Sequence, residues 1–394
     1  MNRITRFFRR PIRPCLGLTA LLVGGSVAAA SQSPTASARV PGFERASAQL
    51  MAQAEAQAAR DHGQAGMSLP CTRKHRHGLR YSVQRLDIPG GAQAFPTALN
   101  NHGWVVGYSF GGRGVQPTLW IGSRAFDLGT LGGNYGYAYD INDAGKIVGQ
   151  STSDETFVYR AFVWYRGRIS ALPGVGSDAG AASAAWGVNR AGVIAGESYV
   201  GEQARIRAVL WRDGVPRALD DLGGSYASAT RSNDAGYTIG FGNNSSGIPY
   251  AMLWTPKGNV IDLGTQSVAL DINNGGRIVG YTISNATEFR PAKWYRGVRH
   301  ILPTLGGQHG VIYRINEGDQ AVGYSQTPTG QERATIWFGS RPVQLDTLLD
   351  EDSQGIVINA AYAINDKGQI AAVESVPGSG VRPLLLTPRR CHAG

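Results

Sequence analysis

Four charged residues stand where a repeated pattern otherwise keeps small ones. The pattern carries Asn at 100, 142, 189, 233, 273, 316 and 365. Two residues before each Asn lie Ala98, Asp140, Gly187, Arg231, Asp271, Arg314 and Ala363. Two carboxylates and two guanidiniums on equivalent strands can neutralise one another as an ion-pair girdle, since buried charges are usually paired. They can instead form a polar ligand site at a channel mouth. Two carboxylates also suit glycoside cleavage, provided they flank one bond. Asp140 and Asp271 belong to the second and fifth repeats, so the spacing predicts them nearly across a ring and too far apart for that work.

A second set lies four residues before the repeat Trp, or Leu386 in the seventh repeat: Gln116, Arg160, Arg207, Tyr250, Arg290, Arg333 and Arg382. An arginine belt could hold a carboxylated or sulfated polymer through bidentate bonds. The plainer reading is that each guanidinium caps loop carbonyls or pairs locally while its stem packs between neighbouring units. Tyr135, Tyr226 and His309 sit in loops leading into the first strands and are expected on the same mouth as the charged quartet. The histidines of the repeats, His102, His300 and His309, are not spaced as metal ligands. No G-x-S-x-G elbow stands out. No catalytic residue, metal or cofactor is assigned from the sequence.

The elements that position these groups follow from the repeat. Tyr137–Ile141 is a β-rich run; Asn142-Asp143-Ala144-Gly145 is a turn with Gly where φ is positive. Residues 146–151 return, residues 160–164 make a third strand ending in Trp164, and residues 169–172 make a fourth. The other repeats agree, although Asp319 replaces the turn Gly in the sixth, where a different turn is expected. One four-stranded meander cannot bury both its faces, and stacking such units around an axis does. A period of about 40–50 residues fits that arrangement. The sequence therefore predicts an all-β, seven-bladed β-propeller of four-stranded antiparallel blades. The first repeat is preceded by residues 81–88, which read as a fourth strand lacking its first three. The seventh stops after its third, at Leu386. The N-terminal strand is expected to complete the last blade and close the ring, which removes open sheet edges.

These motifs resemble the HAF family of bacterial extracellular repeat proteins over roughly 300 residues, as the self-similar period delimits them. The resemblance rests on Leu128-Gly129-Thr130-Leu131-Gly132-Gly133, on Ile141-Asn142 through Val148-Gly149, and on Arg160-Ala161-Phe162-Val163-Trp164. The family's naming histidine is absent. The resemblance implies an exported β-propeller and carries no catalytic residue.

Residues 1–30 read as a cleavable export signal. Five arginines precede an uncharged run, Cys15 to Ala30, that ends in Ala28-Ala29-Ala30. Residues 31–80 read as a flexible linker rich in Ala and Gln and closed by basic residues, 81–388 as the propeller, and 389–394 as a tail. No transmembrane anchor is expected once the signal is removed, and a monomer is expected. The formal charge of +10 belongs to the ends, because residues 81–388 hold 24 basic against 25 acidic side chains. That near-neutral body argues against nucleic acid, which needs a basic face. Two cysteines remain after signal removal, Cys71 and Cys391. The predicted antiparallel pairing of the terminal strands brings these together, so a disulfide is expected.

The function expected from these features is that of an exported, periplasmic or extracellular binding module for a glycan or an envelope protein. A polysaccharide hydrolase or lyase at the channel mouth and a structural or adhesive platform are the alternatives, and fold alone does not choose among them.

Overall fold

The computed structural model describes residues 38–39, 78–90, 93–153, 158–176, 181–200, 205–284, 288–376 and 380–390. The predicted signal, most of the linker, Cys71 and Cys391 lie outside them.

Strands β1 (Ala38–Arg39) and β2 (Leu79–Arg85) precede the repeats. The first repeat supplies β3 (Gln93–Leu99), β4 (Val105–Gly111), β5 (Gly114–Ile121) and β6 (Arg124–Asp127). The second supplies β7 (Gly136–Ile141), β8 (Ile147–Thr152), β9 (Tyr159–Tyr165) and β10 (Arg168–Ala171). The third supplies β11 (Ser183–Val188), β12 (Ile194–Val200), β13 (Arg205–Arg212) and β14 (Val215–Ala218). The fourth supplies β15 (Gly223–Ser232), β16 (Thr238–Asn244), β17 (Pro249–Trp254) and β18 (Val260–Thr265). The fifth supplies β19 (Ser267–Ile272), β20 (Ile278–Ser284), β21 (Glu288–Tyr295) and β22 (Val298–Ile301). The sixth supplies β23 (Gly310–Ile315), β24 (Gln320–Gln326), β25 (Glu332–Phe338) and β26 (Arg341–Gln344). The seventh supplies β27 (Ile358–Ile364), β28 (Ile370–Val376) and β29 (Gly380–Arg390).

The architecture is an all-β propeller of four-stranded antiparallel blades. Five sheets are separate blades: β3–β6, β7–β10 with β1 added at its outer edge, β19–β22, β23–β26, and β27–β29 with β2. The expectation of seven separate sheets is corrected by the third and fourth repeats, whose strands run in one eight-stranded sheet. The link is a parallel bridge between Ile206 and Tyr226, where β15 begins two residues after Asp221 and runs alongside β13. The N-terminal strand pairs antiparallel with β29, Leu79 facing Arg390 and Arg85 facing Leu384. Glu374 on β28 holds this junction, accepting hydrogen bonds from Arg85 Nε at 2.8 Å and Nη2 at 3.3 Å.

Two repeat residues do most of the joining. Trp120, Trp211, Trp254, Trp294 and Trp337 are fully buried. Their indoles donate to the carbonyls of Asp87, Pro173, Asp220, Leu263 and Pro303 respectively, each 31 to 38 residues upstream. Each third strand is thereby bolted to the end of the preceding repeat. Each Asn does the same on the inside. Its Oδ1 accepts from the backbone four residues on, as from Lys146 to Asn142, and fixes the turn. Its Nδ2 donates to the backbone carbonyl of the next repeat's Asn: 100 to 142, 142 to 189, 189 to 233, 233 to 273, 273 to 316, 316 to 365, and 365 back to 100.

The Gly carried by six of the second strands, replaced by Ala372 in the seventh, answers a β-bulge in the first. In β7 the register shifts between Ala138 and Asp140, which pushes the Tyr137 carbonyl outward. A Cβ on Gly149 would lie 1.9 Å from that oxygen, so only Gly fits there. Asp319 corrects another expectation. It keeps the same turn as its Gly counterparts, adopting φ 64° and donating its N–H to the Asn316 carbonyl. Lys293 and Arg277 hold its carboxylate.

Candidate functional site

Every first strand begins at one end of the channel and finishes at the Asn turns at the other. We call these ends the loop mouth and the turn mouth. The bulge before each Asn aims the residue two places upstream into the channel, near the turn mouth. There a cavity of about 200 Å³ is lined by the Asn turns and by Asp140, Arg231, Asp271 and Arg314.

These four residues meet. Arg231 Nη2 lies 3.5 Å from Asp140 Oδ1, and Arg314 Nη2 lies 3.4 Å from the same oxygen. Arg314 Nη1 also reaches to 4.0 Å from Asp271 Oδ1. The other oxygen of each acid accepts a backbone N–H of the following repeat, Asp140 from Val188 at 2.8 Å and Asp271 from Ile315 at 2.9 Å. Arg314 further donates to the carbonyls of Thr97 and Tyr139, and Arg231 to those of Trp186 and Thr230. Asp140 and Asp271, expected nearly across the ring and too far apart for glycoside cleavage, are bridged by the Arg314 guanidinium. The channel is narrow enough at this level for one guanidinium to touch both. Burial pushes the Asp271 carboxyl up to about 7, against the pull of Arg231. Burial raises Asp140 too, again opposed by Arg231 and by the Val188 N–H. The quartet is therefore an ion-paired girdle, in which Arg231 Nε alone among its guanidinium nitrogens is buried without a hydrogen-bond partner. Three residues after that column, the side chains of Asp143, Asn274, Asp366 and Asn101 accept backbone N–H groups of neighbouring turns, so they are committed too.

The arginine belt does not assemble as a free cationic ring. Arg207 donates to the Leu219 carbonyl and pairs with Asp221 at 3.2 Å. Arg333 donates to Glu332 O and Gln331 Oε1 and lies 3.9 Å from Asp346. Arg382 sits 3.6 Å from Glu374. Arg160 is engaged as well, and Arg290 is half-buried on β21 opposite Thr282. Tyr250 and Gln116 make local hydrogen bonds at the same level.

Tyr135, Tyr226 and His309 are at the loop mouth, opposite the girdle. They precede Asp140, Arg231 and Arg314 by five residues, about 16 Å along a strand. They belong to a set of aromatic rings that the sequence pattern left in the background. Phe95, Tyr108 and Phe110 pack together, and Tyr108 meets Tyr137 at 4.9 Å between centroids. Tyr137 contacts Tyr139 and Tyr159, and Tyr139 meets Trp186 at 4.5 Å. On the far side Tyr226 meets Phe241, Phe289 meets Tyr281 and His309, and Tyr313 meets Tyr324 and Tyr362. Several of these rings, including Tyr137, Tyr159, Trp186, Tyr226 and Tyr313, are partly buried and keep a minor part of their surface exposed.

Glu197 interrupts this set. It follows Ala195-Gly196 of the third repeat, at the place where Tyr108, Gln150, Phe241, Tyr281, Tyr324 and Val373 stand in the others. A lone charge in that column is the signal that could have found it. Its Oε2 accepts from Tyr226 Oη at 3.0 Å. Burial pushes its carboxyl up, while the nearby Ser228, Tyr226 and Trp186 donors pull the other way. Among the described residues no group of three or more His, Cys, Asp or Glu is placed to hold a metal, and no helix is long and apolar enough to cross a membrane.

A β-propeller with a neutralised girdle at one mouth and aromatic rings at the other is the class of protein defined here. No family model matches the chain, and neither does any curated protein. Among solved structures it is similar to TolB from Acinetobacter baumannii, with a TM-score of 0.43, 12% identity and 73% of this chain covered. The match spans 64% of that TolB chain. It is similar to the polysaccharide lyase Uly1, with a TM-score of 0.43, 12% identity, and 84% of this chain and 95% of that one covered. It is also similar to the BP39L lectin from Burkholderia pseudomallei, with a TM-score of 0.40, 9% identity, and 78% and 98% covered. The reading of the site rests on its own geometry.

Proposed function

We propose that this chain is an exported, non-catalytic propeller of the HAF type that binds a glycan at its loop mouth. In this reading the eight-stranded sheet counts as two blades, so the ring has seven, and β2 closes it. The observation that carries the proposal is the aromatic set running from Phe95 to Trp186 and from Tyr226 to Tyr362. Partly exposed Tyr and Trp rings offer apolar faces with polar tips, which suit a ligand that is apolar on its ring faces and polar at its edges. The charges point away from catalysis. Asp140 accepts the Val188 N–H and faces the guanidiniums of Arg231 and Arg314, and Asp271 accepts the Ile315 N–H with Arg314 at 4.0 Å, so both acids are engaged within the girdle. The committed arginines argue against an anionic polymer as the main ligand.

The test is a polysaccharide and oligosaccharide array with the full chain, followed by thermal shift with each hit, since a ligand that binds only the folded state raises the melting point. Binding of a neutral glycan without cleavage supports the reading. Release of new reducing or unsaturated ends from a bound polymer returns the hydrolase or lyase alternative. Binding to envelope proteins with no glycan hit moves the assignment to a protein partner or platform.

A further inference from the structure

We propose that the turn-mouth face docks flat on an anionic lipid surface, through cations and apolar side chains at the outer corners of the repeats. This surface lies at the other end of the channel from the proposed glycan site and does not depend on it.

The corners are the turns that join third to fourth strands. Each third strand ends beside the start of the second, as Trp164 faces Ile147 and Trp294 faces Ile278. The corners therefore emerge at the same end as the Asn turns. In six repeats they are residues 121–124, 165–168, 212–215, 255–259, 295–298 and 338–341. They hold Arg124, Arg166, Arg168, Arg212, Lys257, Arg296 and Arg341 against one acid, Asp213, and all seven cations are exposed. Residues 81–388 as a whole hold 24 basic and 25 acidic side chains, so the corners concentrate positive charge that is balanced elsewhere. Other exposed arginines are paired, as Arg113 is with Asp127 and Arg277 with Asp319. Among the described residues no acid lies within ion-pair distance of Arg124, Arg166, Arg212, Lys257, Arg296 or Arg341. The acids of this face lie inward on the Asn turns, where Asp143, Glu317 and Asp366 hold backbone N–H groups.

Apolar side chains share the corners. Val215 is 68% exposed and Val298 57%, and the Tyr165 and Tyr295 rings are exposed beneath Arg166 and Arg296. At four corners an apolar residue and an arginine face each other across the turn: Ile121 and Arg124, Tyr165 and Arg168, Val215 and Arg212, Phe338 and Arg341. Because the repeats turn about one axis, equivalent corners recur at one level and present a plane. Charge and apolarity together select the occupant. A soluble polyanion would use the cations but leave Val215 and Val298 in water. An anionic bilayer uses both, with Lys and Arg at the headgroups and Tyr and Val at the interface.

The experiment is co-sedimentation of the full chain with vesicles of phosphatidylcholine alone, or of phosphatidylcholine mixed with phosphatidylglycerol. Three multiple variants accompany the wild type. One carries Arg166→Asn, Lys257→Gln and Arg296→Asn; Asn-Gly suits the positive φ that Arg166 and Arg296 adopt before Gly. The second carries Val215→Ser and Val298→Ser. The third carries Arg3→Gln, Arg6→Gln and Arg9→Gln, to separate the face from the N-terminal arginines. Melting points establish that each is folded. The expected result is binding to the phosphatidylglycerol vesicles only, weakened by added salt. Removing three corner cations should weaken it about a hundredfold, and the valine variant about tenfold or more. Loss in the N-terminal variant with the corner variants unchanged overturns the proposal, as does a wild type that does not sediment. Loss in the cation variant with the valine variant unchanged overturns the lipid assignment in favour of a soluble polyanion.

Discussion

Single residues in this molecule are committed more often to neighbouring repeats than to their own strands. Tyr81 is an exception with a measurable consequence. It is fully buried on β2, its hydroxyl has no partner among the described residues, and burial pushes its pKa up to about 12. An unsatisfied buried hydroxyl costs about 1–3 kcal/mol. Tyr81→Phe is therefore expected to raise stability by about 1 kcal/mol in urea unfolding; a loss of that size would mean the hydroxyl has a partner. Asp271 gives a pH prediction. Its folded pKa of about 7 exceeds the ordinary value of 3.8, so the folded state binds the proton more tightly than the unfolded chain. The resulting stability is present at low pH and is lost as pH rises from about 4 through 7. Asp271→Asn should flatten the fall in melting temperature between about pH 4 and 7, and an unchanged slope would refute the shift. Neither feature was legible in the sequence. Asp140, Arg231, Asp271 and Arg314 were visible as four charges in one column, but their meeting depends on the channel radius, which no spacing encodes. Glu197 was missed because its partners come from two repeats and only their folding together makes a cluster.

Elements were far more legible, because the repeat demands particular residue types at particular places. The Asn turns need an amide that both accepts and donates. The Val-Gly needs the absence of a Cβ beside a bulge carbonyl, as Gly149 against Tyr137 shows. The Trp must fill an inter-blade space and reach a carbonyl. The shared sheet of the third and fourth repeats was not legible, since one parallel bridge at Tyr226 decides it. Trp254 illustrates the energetics. Removing its buried indole in Trp254→Ala is expected to cost about 3–5 kcal/mol. Trp254→Phe, which loses chiefly the bond to Asp220 O and some volume, should cost about 1–3 kcal/mol. Equal losses in the two variants would show that the hydrogen bond, not the filling, is what matters.

At the scale of the molecule, the pairing of β2 with β29 turns the two ends of the repeat region into neighbours. Leu79 faces Arg390, and Cys391 follows directly in sequence while Cys71 lies eight residues before Leu79. A Cys71–Cys391 disulfide remains our expectation, and in the chain-entropy model a loop of this length stabilises by about 4–5 kcal/mol. Non-reducing peptide mapping of the mature protein should find the cross-linked pair, and two free thiols would end the idea. The Asn amides supply a second test at this scale. Asn233→Ala removes one link to Asn273 and one turn acceptor for the Tyr237 N–H, and should cost about 2–4 kcal/mol at about 1–2 per bond.

The amide bonds that run from Asn100 through every repeat and return from Asn365 have a kinetic meaning. A linear array of repeats frays from its tips, and partial unfolding can stop at any internal boundary. A cycle of donors and acceptors has no tip to fray. Hydrogen exchange of the turn amides that the Asn side chains hold should then proceed through one global opening, with the same protection at Trp104 as at Tyr237 and Gln369, rather than as a gradient rising from the termini inward.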